Sequence, residues 1–375
     1  MSLRVKNALY TLGIRLKYGE HAGAIAKKYN LQNLIGKEET NKLIKNELKD
    51  QKILKIALKE SRPPWFVRNI TLSAFCCNKG FYSTFSKDCV KGMMVGTLLY
   101  RSADLKDDFS DNYLEKKLPP HKTFEEVHNI LLDEKNLVYL ARNWSIEEAS
   151  LIANASYSLI NLGRNMLKEM NEKAFEEYEK FEKGDLNLTQ AKDFFYRFCL
   201  KKGRMEEVRK ELSSIEKILE TQKKLGKVGE TWIRVSHLLA GGEEKYLEPL
   251  GEFFLYSTSL LNLAADDLKE AEDDFSYDGE SKVGIKNPAN ILALCMISEG
   301  YNWLSLSELK KYLKEKGKVV YKMLNYYFEN VLESYERAKD SPYEKDLSLT
   351  LGLTLDMTKR EVKEFEKKFN VEVKF

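Results

Sequence analysis

The sequence predicts an all-α protein, a single large bundle of ten or more helices, and three observations support this fold class. Apolar residues recur at spacings of three and four almost throughout the chain, which is the helical period. Only 7 prolines and 20 glycines interrupt 375 residues, too few for the regular turns of an all-β sandwich or barrel. Lysine, glutamate and leucine dominate, as is typical of helical proteins. No low-complexity linker divides the chain, so we expect one domain over residues 1–375.

Local patterns give the elements in order. Strong apolar periodicity predicts a buried helix over 89–109, and Pro119–Pro120 breaks the region after it. Gly241–Gly242 ends a later helix, residues 276–288 form a predicted loop, and 371–375 are a candidate short strand. The predicted helical segments are 9–16, 43–54, 89–109, 146–184 as two helices or one bent helix, 204–225, 228–241, 243–274 and 305–339.

Charge, hydropathy and cysteine content exclude several classes of protein. Sixty-one basic residues against 58 acidic ones leave a net charge of +3, so no global nucleic-acid-binding surface is indicated. The longest uncharged stretch, 149–163, is shorter than the roughly 20 apolar residues that cross a bilayer. Neither a signal-peptide pattern in the first thirty residues nor a C-x-x-C pair among the 5 cysteines is present. We expect a cytoplasmic protein with no transmembrane segment and no nucleic-acid partner.

The most informative feature is an acidic cluster that occurs twice, each time at the end of an apolar helix. The carboxylates are Asp107, Asp108 and Asp111 in the first cluster and Asp266, Asp267 and Glu270 in the second. Asp107 and Asp111 lie four residues apart on one helical face, as do Asp266 and Glu270. Like charges at this spacing repel, and acidic residues near a helix C-terminus oppose the helix dipole. A bound cation would offset both effects.

Carboxylates in this pattern suit Mg²⁺, which binds through a few carboxylates together with substrate phosphates. Two such helices facing each other would hold Mg²⁺ over a diphosphate, with an apolar cavity beneath. The alternative interpretation is that each cluster is a solvated charge run, which is the usual role of acidic residues on helix surfaces. The metal site is favoured because both clusters follow apolar stretches long enough to be central.

With these motifs the chain resembles the trans-isoprenyl diphosphate synthases (polyprenyl synthetases), class I isoprenoid synthases that extend allylic diphosphates with isopentenyl diphosphate. Residues 107–111, DDFSD, are similar to the first DDxxD motif of the family, and residues 266–270, DDLKE, are similar to the second. The resemblance is clearest over residues 55–300. It implies an isoprenoid-synthase-like fold around a deep apolar cavity, a Mg²⁺ cofactor held by the six carboxylates, both diphosphates as substrates, and a homodimer.

The resemblance extends to basic residues that the family uses to bind diphosphates. Lys59 and Arg62 resemble part of its arginine-rich box and by this likeness hold isopentenyl diphosphate. The lysines that by the same likeness contact the allylic diphosphate are Lys116, Lys117, Lys227 and Lys282. The catalytic residues implied by the resemblance are Asp107, Asp111, Asp266 and Lys227.

Two departures from the family pattern leave other functions open. Tyr100 stands where the family usually has a histidine of the isopentenyl site, and Leu263 stands where a glutamine usually precedes the second motif. These changes favour a class I terpene cyclase or a prenyl transferase with another acceptor. A further alternative is that the protein is a partner subunit with reduced catalytic activity.

The residues before the first motif predict the length of the product. One helical turn advances about 5 Å, roughly one isoprene unit. Ser102 and Ala103, one turn before Asp107, are small and would let the growing chain pass. Tyr100, nearly two turns before it, is a bulky candidate for the floor and favours a product near twenty carbons, as from a geranylgeranyl diphosphate synthase. Alternatively, Tyr100 faces a neighbouring helix and a residue elsewhere ends the tunnel.

Overall fold

The computed structural model describes residues 12, 16–17, 36–58, 87–239, 241–316, 318–341 and 344–372. Over these residues the backbone is predominantly helical and contains no strand, only an isolated antiparallel bridge between Tyr277 and Ile285. The predicted all-α class is therefore confirmed. No helix in this part of the chain is both long enough and apolar enough to cross a membrane.

The described helices are numbered here in chain order. They are α1 (36–47), α2 (Gln51–Ala57), α3 (Lys87–Phe109), α4 (Phe124–Leu131), α5 (Glu134–Trp144), α6 (Glu147–Met170), α7 (Glu172–Phe181), α8 (Asn187–Lys201), α9 (Met205–Glu211), α10 (Ile215–Leu239), α11 (Leu247–Phe254), α12 (Asn262–Asp274), α13 (Ile291–Ser298), α14 (Leu306–Lys316), α15 (Lys318–Ala338) and α16 (Glu344–Phe369).

Polar residues fix where several of these helices begin. Thr123 accepts a hydrogen bond from the backbone N–H of Glu126, whose side chain in turn accepts one from the Thr123 N–H, a capping box at the start of α4. Asp133 caps α5 by accepting from the Lys135 N–H at 2.9 Å. Each such cap stabilises its helix by about 1 kcal/mol.

Three sequence predictions of helix boundaries can be compared with the structure. The segment 146–184 forms two helices, because Asn171 adopts an extended backbone between α6 and α7 and caps α7 through the Ala174 N–H. The predicted boundary between 225 and 228 is wrong, because α10 continues from Ile215 to Leu239. It ends at Leu239, just before the predicted Gly241–Gly242, and the φ of +77° at Gly241 suits glycine.

At the other end of the chain, residues 371–372 form no strand, and residues 373–375 lie outside the described residues.

The helix that carries the first acidic motif is held along its length by α6. Gly163 of α6 permits this close approach, since a Cβ there would lie 2.7 Å from Leu99 Cδ2. Ser102 and Ser156 form a buried hydrogen-bonded pair across the same interface. The packing fixes the position of the C-terminal end of α3, where the motif lies.

Each acidic motif adjoins a helical turn of π type. One such turn, Ser110–Leu114, follows α3 and includes Asp111, and another, Leu255–Leu261, directly precedes α12. A π turn inserts extra backbone into a helix and changes which side chains face a neighbour, and such turns are frequent at functional sites. The site lies between these two distorted helices.

Candidate active site

A cavity of about 380 Å³ lies between the C-terminal end of α3, the middle of α8 and the start of α12. We call it the upper cavity. Residues in its wall include Asp107, Asp193, Arg197, Gln222, Leu263 and Asp267.

The upper cavity brings together carboxylates that are far apart in the sequence. Asp107 comes from the first motif and Asp267 from the second, while Asp193 comes from α8 between them. Leu263 and Asp267 are four residues apart and therefore share one face of α12. The structure thus places one carboxylate from each motif in the wall of one cavity.

Arg197 of α8 neutralises the first motif. Its Nη1 donates to Asp111 Oδ1 at 2.7 Å, its Nη2 lies 3.6 Å from Asp107 Oδ1, and its Nε lies 3.3 Å from Asp193 Oδ2. Burial would lower the pKa of Arg197, but Asp193, Asp111 and Asp107 together raise it above its usual value. Only 16% of the side chain is exposed, and the guanidinium is a permanent positive charge beside the motif.

The side chain of Asp107 lies in a concave part of the surface, where it is accessible to water and has protein groups around it. Although 69% of its side-chain area is exposed, desolvation by the surrounding protein raises its pKa to about 6, against the opposing effect of Arg197. Asp111 and Asp193 contribute to the increase by repulsion. A carboxyl group with this pKa holds its proton more readily than a surface aspartate.

Asp267 of the second motif is bound to the start of α13. Its Oδ2 accepts a hydrogen bond from the Ile291 N–H at 2.9 Å, and its backbone carbonyl accepts one from Asn290 Nδ2 at 2.8 Å. Burial raises the pKa of Asp267 to about 8, although the Ile291 N–H acts in the opposite direction. Asn290 also donates to Asp274 Oδ2 at 2.8 Å, so two positions of α12 are hydrogen-bonded to the residue that precedes α13.

Four of the six predicted metal ligands lie outside the wall of the upper cavity, namely Asp108, Asp111, Asp266 and Glu270. Asp111 is bound to Arg197. Asp108, Asp266 and Glu270 have exposed side chains, and the nearest cation to Asp266 is Lys269 at 3.8 Å. The α16 residue Glu361 contributes to raising the pKa of Asp266, after burial and Glu270. Within the described ranges, no three His, Cys, Asp or Glu residues are grouped closely enough to hold a metal ion.

The predicted basic residues are spread over several places. Lys227 of α10 pairs with Asp185 at 2.8 Å. Lys116 and Lys117 are exposed in the short turn that follows the first motif, and Lys282 has an exposed side chain in the loop after α12. None of these four lines the upper cavity where the structure describes it. Lys59 and Arg62 lie outside the described residues.

A second cavity of about 220 Å³ lies beneath Asp107, and we call it the lower cavity. Tyr100 and Ala103, two of the residues predicted to line the path of the product, are in its wall, and burial raises the pKa of Tyr100 above its usual value. Ser102 points to α6 instead and is hydrogen-bonded to Ser156. The walls of both cavities include Lys106, Asp107 and Gln190, so the two adjoin there.

The wall of the lower cavity mixes charged and apolar groups, whereas the sequence predicted an apolar cavity. Lys106 Nζ lies 3.3 Å from Glu134 Oε1 and 3.1 Å from Asn187 Oδ1, with 4% of Lys106 exposed. Glu182 accepts a hydrogen bond from the Tyr178 hydroxyl at 3.3 Å, and burial raises its pKa to about 7. Buried charges of this kind are costly unless they are paired.

Sequence reasoning missed the whole contribution of α8 and the buried Lys106–Glu134 pair. A signal for α8 was present, because Asp193 and Arg197 are four residues apart and form an ion pair on one helical face. Nothing in the local sequence indicates that Lys106, next to Asp107, turns inward to Glu134 across 28 residues.

No family model and no curated protein sequence matches the chain. Among solved structures, the geranylgeranyl pyrophosphate synthetase from the archaeon Geoglobus acetivorans is similar, with 16% sequence identity, a TM-score of 0.54, and coverage of 89% of this chain and 97% of that one. Another, from Pyrococcus horikoshii Ot3, shares 13% identity over 86% of this chain and 98% of that one, with a TM-score of 0.42. The first likeness shows that this chain has the predicted isoprenoid-synthase-like fold.

Proposed function

We propose that the protein is a Mg²⁺-dependent prenyltransferase that ionises an allylic diphosphate in the upper cavity. The observation that carries this proposal is the presence of Asp107 and Asp267, one carboxylate from each acidic motif, in the wall of one cavity. The similarity in fold to a geranylgeranyl pyrophosphate synthetase supports the same class of reaction.

The donor set of the upper cavity has the chemistry that suits a hard cation, although its carboxylates are not grouped closely enough to form a complete metal site by themselves. Carboxylate oxygens, the ligands that Mg²⁺ prefers, are offered by Asp107, Asp193 and Asp267. The carboxylate of Asp111 is bound to Arg197, which lines the same cavity. We propose that these carboxylates, together with the diphosphate, hold the metal. When bound, Mg²⁺ would neutralise charge that develops on the leaving diphosphate. Burial is the main cause of the raised pKa values of Asp107 and Asp267, and a bound cation would offset this cost of holding their charged forms.

Arg197 gives the site a second way of binding phosphate. A guanidinium binds two phosphate oxygens through parallel N–H donors, and such charge-assisted hydrogen bonds are about twice as strong as neutral ones. We propose that Arg197 moves its donors from Asp111 to the diphosphate when substrate enters, which frees the first motif. Leu263 and Phe194 add apolar wall, which shelters an allylic cation from water.

The acceptor in our primary proposal is isopentenyl diphosphate, bound through Lys59 and Arg62 as the family resemblance implies. Lys116 and Lys117 stand at the end of the first motif, where lysines suit phosphate binding as point charges. The proposed roles of Lys227 and Lys282 require movement, because neither lysine lines the upper cavity and Lys227 is paired with Asp185.

A transfer to a different acceptor is the second candidate function, and one observation favours it. The lower cavity, where a growing chain would lie, measures about 220 Å³ and has the buried pair Lys106–Glu134 in its wall. A dry apolar cavity of 150 Å³ takes one benzene molecule, so this volume corresponds to roughly nine carbons. A twenty-carbon product, as predicted from the sequence, needs more space than the lower cavity alone provides.

Release of diphosphate from dimethylallyl or farnesyl diphosphate tests the proposal. Release that requires both Mg²⁺ and isopentenyl diphosphate supports chain elongation, and Mg²⁺-dependent release without it supports a cyclase or another acceptor. No release from either substrate would contradict the proposed function and favour a catalytically reduced partner subunit. Asp340→Asn, a carboxylate-to-amide change at an exposed turn, is the matched control.

The family resemblance also leads us to propose a homodimer. Light scattering at the working concentration tests this, and a monomer there would refute it.

A further inference from the structure

Gln222 of α10 has a buried polar side chain in the wall of the upper cavity. Only 8% of the residue is exposed. Among the residues that the structure describes, neither its amide nitrogen nor its amide oxygen makes a hydrogen bond, and both atoms keep accessible surface. The amide therefore opens into the upper cavity. A buried amide without a partner costs free energy, and a ligand that pairs with it removes this cost.

Most side-chain donors in this wall are already bonded within the protein. Over the described part of the chain, the amides of Gln190 and Gln222 are the two that remain, and Gln222 is the more deeply buried. A ligand rich in acceptor oxygens therefore finds free donors at these two amides. The donors with an acceptor in the protein belong to Lys106, Ser110, Thr189, Arg197 and Asn287.

The rotation of α10 explains why Gln222 lines the upper cavity and Lys227 does not. The two residues are five apart, so their side chains are turned by about 140° and separated by about 7.5 Å along the helix axis. Lys227 lies instead beside Asp185, with 2.8 Å between Nζ and Oδ2. The residue that α10 presents to the upper cavity is thus a neutral amide, and not the lysine that the family resemblance implies.

The chemistry of a primary amide suits the diphosphate of the proposed substrate. Ionised phosphate oxygens only accept hydrogen bonds, and the amide nitrogen of glutamine has two N–H donors. The ionised carboxylates of the same wall have none to offer. Arg197 must first leave Asp111, whereas Gln222 has no bond to break within the described residues.

We infer that Gln222 is a binding residue for the diphosphate, whose oxygens accept hydrogen bonds from its amide nitrogen in the upper cavity. This inference rests on the proposed function, from which it takes the class of substrate. It makes Gln222 a preformed donor, in place before the substrate enters.

Calorimetric titration of the full chain with inorganic pyrophosphate, at saturating Mg²⁺ and constant ionic strength, tests the inference without catalysis. Gln222→Met keeps the length of the side chain and removes its donors. It should weaken pyrophosphate binding about tenfold, the effect of one hydrogen bond to a charged group. Gln222→Lys supplies a charged donor at the same position and should bind pyrophosphate at least as tightly as the wild type. Gln51→Met is the matched control, at the exposed start of α2, and should alter nothing.

Unchanged affinity in Gln222→Met, or weaker binding in Gln222→Lys than in the wild type, would overturn the role of Gln222 and leave the proposed function standing. Failure of pyrophosphate to bind the wild type in Mg²⁺ would contradict the proposed function as well. Thermal unfolding verifies that each variant folds. If one does not fold, the other decides the outcome.

Discussion

The two acidic motifs have similar sequences, but different parts of the protein stabilise the negative charge of their carboxylates. In the first, Asp107 and Asp111 lie beside the side chain of Arg197, a cation on a neighbouring helix. In the second, Asp267 accepts a hydrogen bond from the backbone N–H of Ile291, at the start of α13. In the function proposed above, movement of the Arg197 side chain releases the first motif to a ligand, whereas the second motif is part of the framework that joins α12 to α13.

The motifs also differ in which aspartate faces the upper cavity. It is the first aspartate of the first motif, Asp107, and the second of the second motif, Asp267. Successive residues of a helix are turned by about 100°, so Asp266 points away from the face that Leu263 and Asp267 share. The resemblance implies a catalytic Asp266, and the geometry favours Asp267.

The largest effect we expect is on activity, and it separates these two aspartates. Asp107→Asn and Asp267→Asn should each reduce Mg²⁺-dependent diphosphate release by about a hundredfold or more, because each removes a charged ligand from the proposed transition-state site. Asp266→Asn should reduce it by about tenfold or less. Initial rates at saturating substrate measure all three.

The Asp340→Asn variant controls for the change itself and should retain full activity. Equal losses in Asp266→Asn and Asp267→Asn would show that the orientation of α12 in the structure does not apply to the active state. Full activity in Asp107→Asn would remove the first motif from the site.

The sequence predicted much of the fold, because helix formation leaves a periodic signal in every segment. It placed the α3 helix within two residues of its observed start at Lys87 and identified both carboxylate motifs. It could not show which aspartate of a motif faces the cavity, since that depends on the rotation of the helix and on the adjoining π turn. Residues on α8 escaped notice because an isolated Asp193–Arg197 pair is common on helix surfaces.

The charge of the lower cavity was unpredictable for another reason. Lys106 lies in a run of charged residues, next to Asp107, and this pattern predicts a solvated side chain. In the structure Lys106 is 4% exposed. Its partners Glu134 and Asn187 come from the starts of two other helices. Only tertiary packing brings these three groups together, so no local pattern indicates them.

The next effect concerns Arg197, the largely buried cation beside the first motif. Arg197→Met should destabilise the protein by about 2 kcal/mol without metal, because it leaves three neighbouring carboxylates without their counter-ion. Mg²⁺ should recover part of this loss by replacing the missing charge. Urea unfolding with and without Mg²⁺ measures both values.

Arg337→Met is the matched control, since Arg337 forms a 2.7 Å ion pair with Glu252 and is 50% exposed. It should cost less than about 1 kcal/mol and show no Mg²⁺ dependence. A similar response in both variants would contradict the role of Arg197 as counter-ion of the first motif.

A smaller effect tests the structural role of the second motif. Asp267→Ala should lower the free energy of unfolding by about 1 kcal/mol, because it removes the acceptor for the Ile291 N–H at the start of α13. Asp267→Asn keeps an oxygen acceptor and should preserve stability. Urea unfolding of the pair measures the difference, and equal stability of the two variants would show that the bond to α13 contributes nothing.

The smallest effect we expect is a difference in how the motifs respond to pH when metal is absent. Both aspartates have a pKa in the folded protein above the value of about 3.9 in an unfolded chain, to about 6 for Asp107 and about 8 for Asp267. The folded state therefore binds more protons than the unfolded state above pH 4, and stability falls as pH rises. For Asp107 this fall in stability is complete just above pH 6, whereas for Asp267 it continues through pH 8.

Asp267→Asn should thus remove a decline in stability of order 1 kcal/mol between pH 6 and pH 8, after allowance for solvent screening, and Asp107→Asn should leave that decline in place. Chemical unfolding at half-unit pH steps in EDTA gives both profiles, and parallel curves for the two variants above pH 6 would contradict the difference in their surroundings.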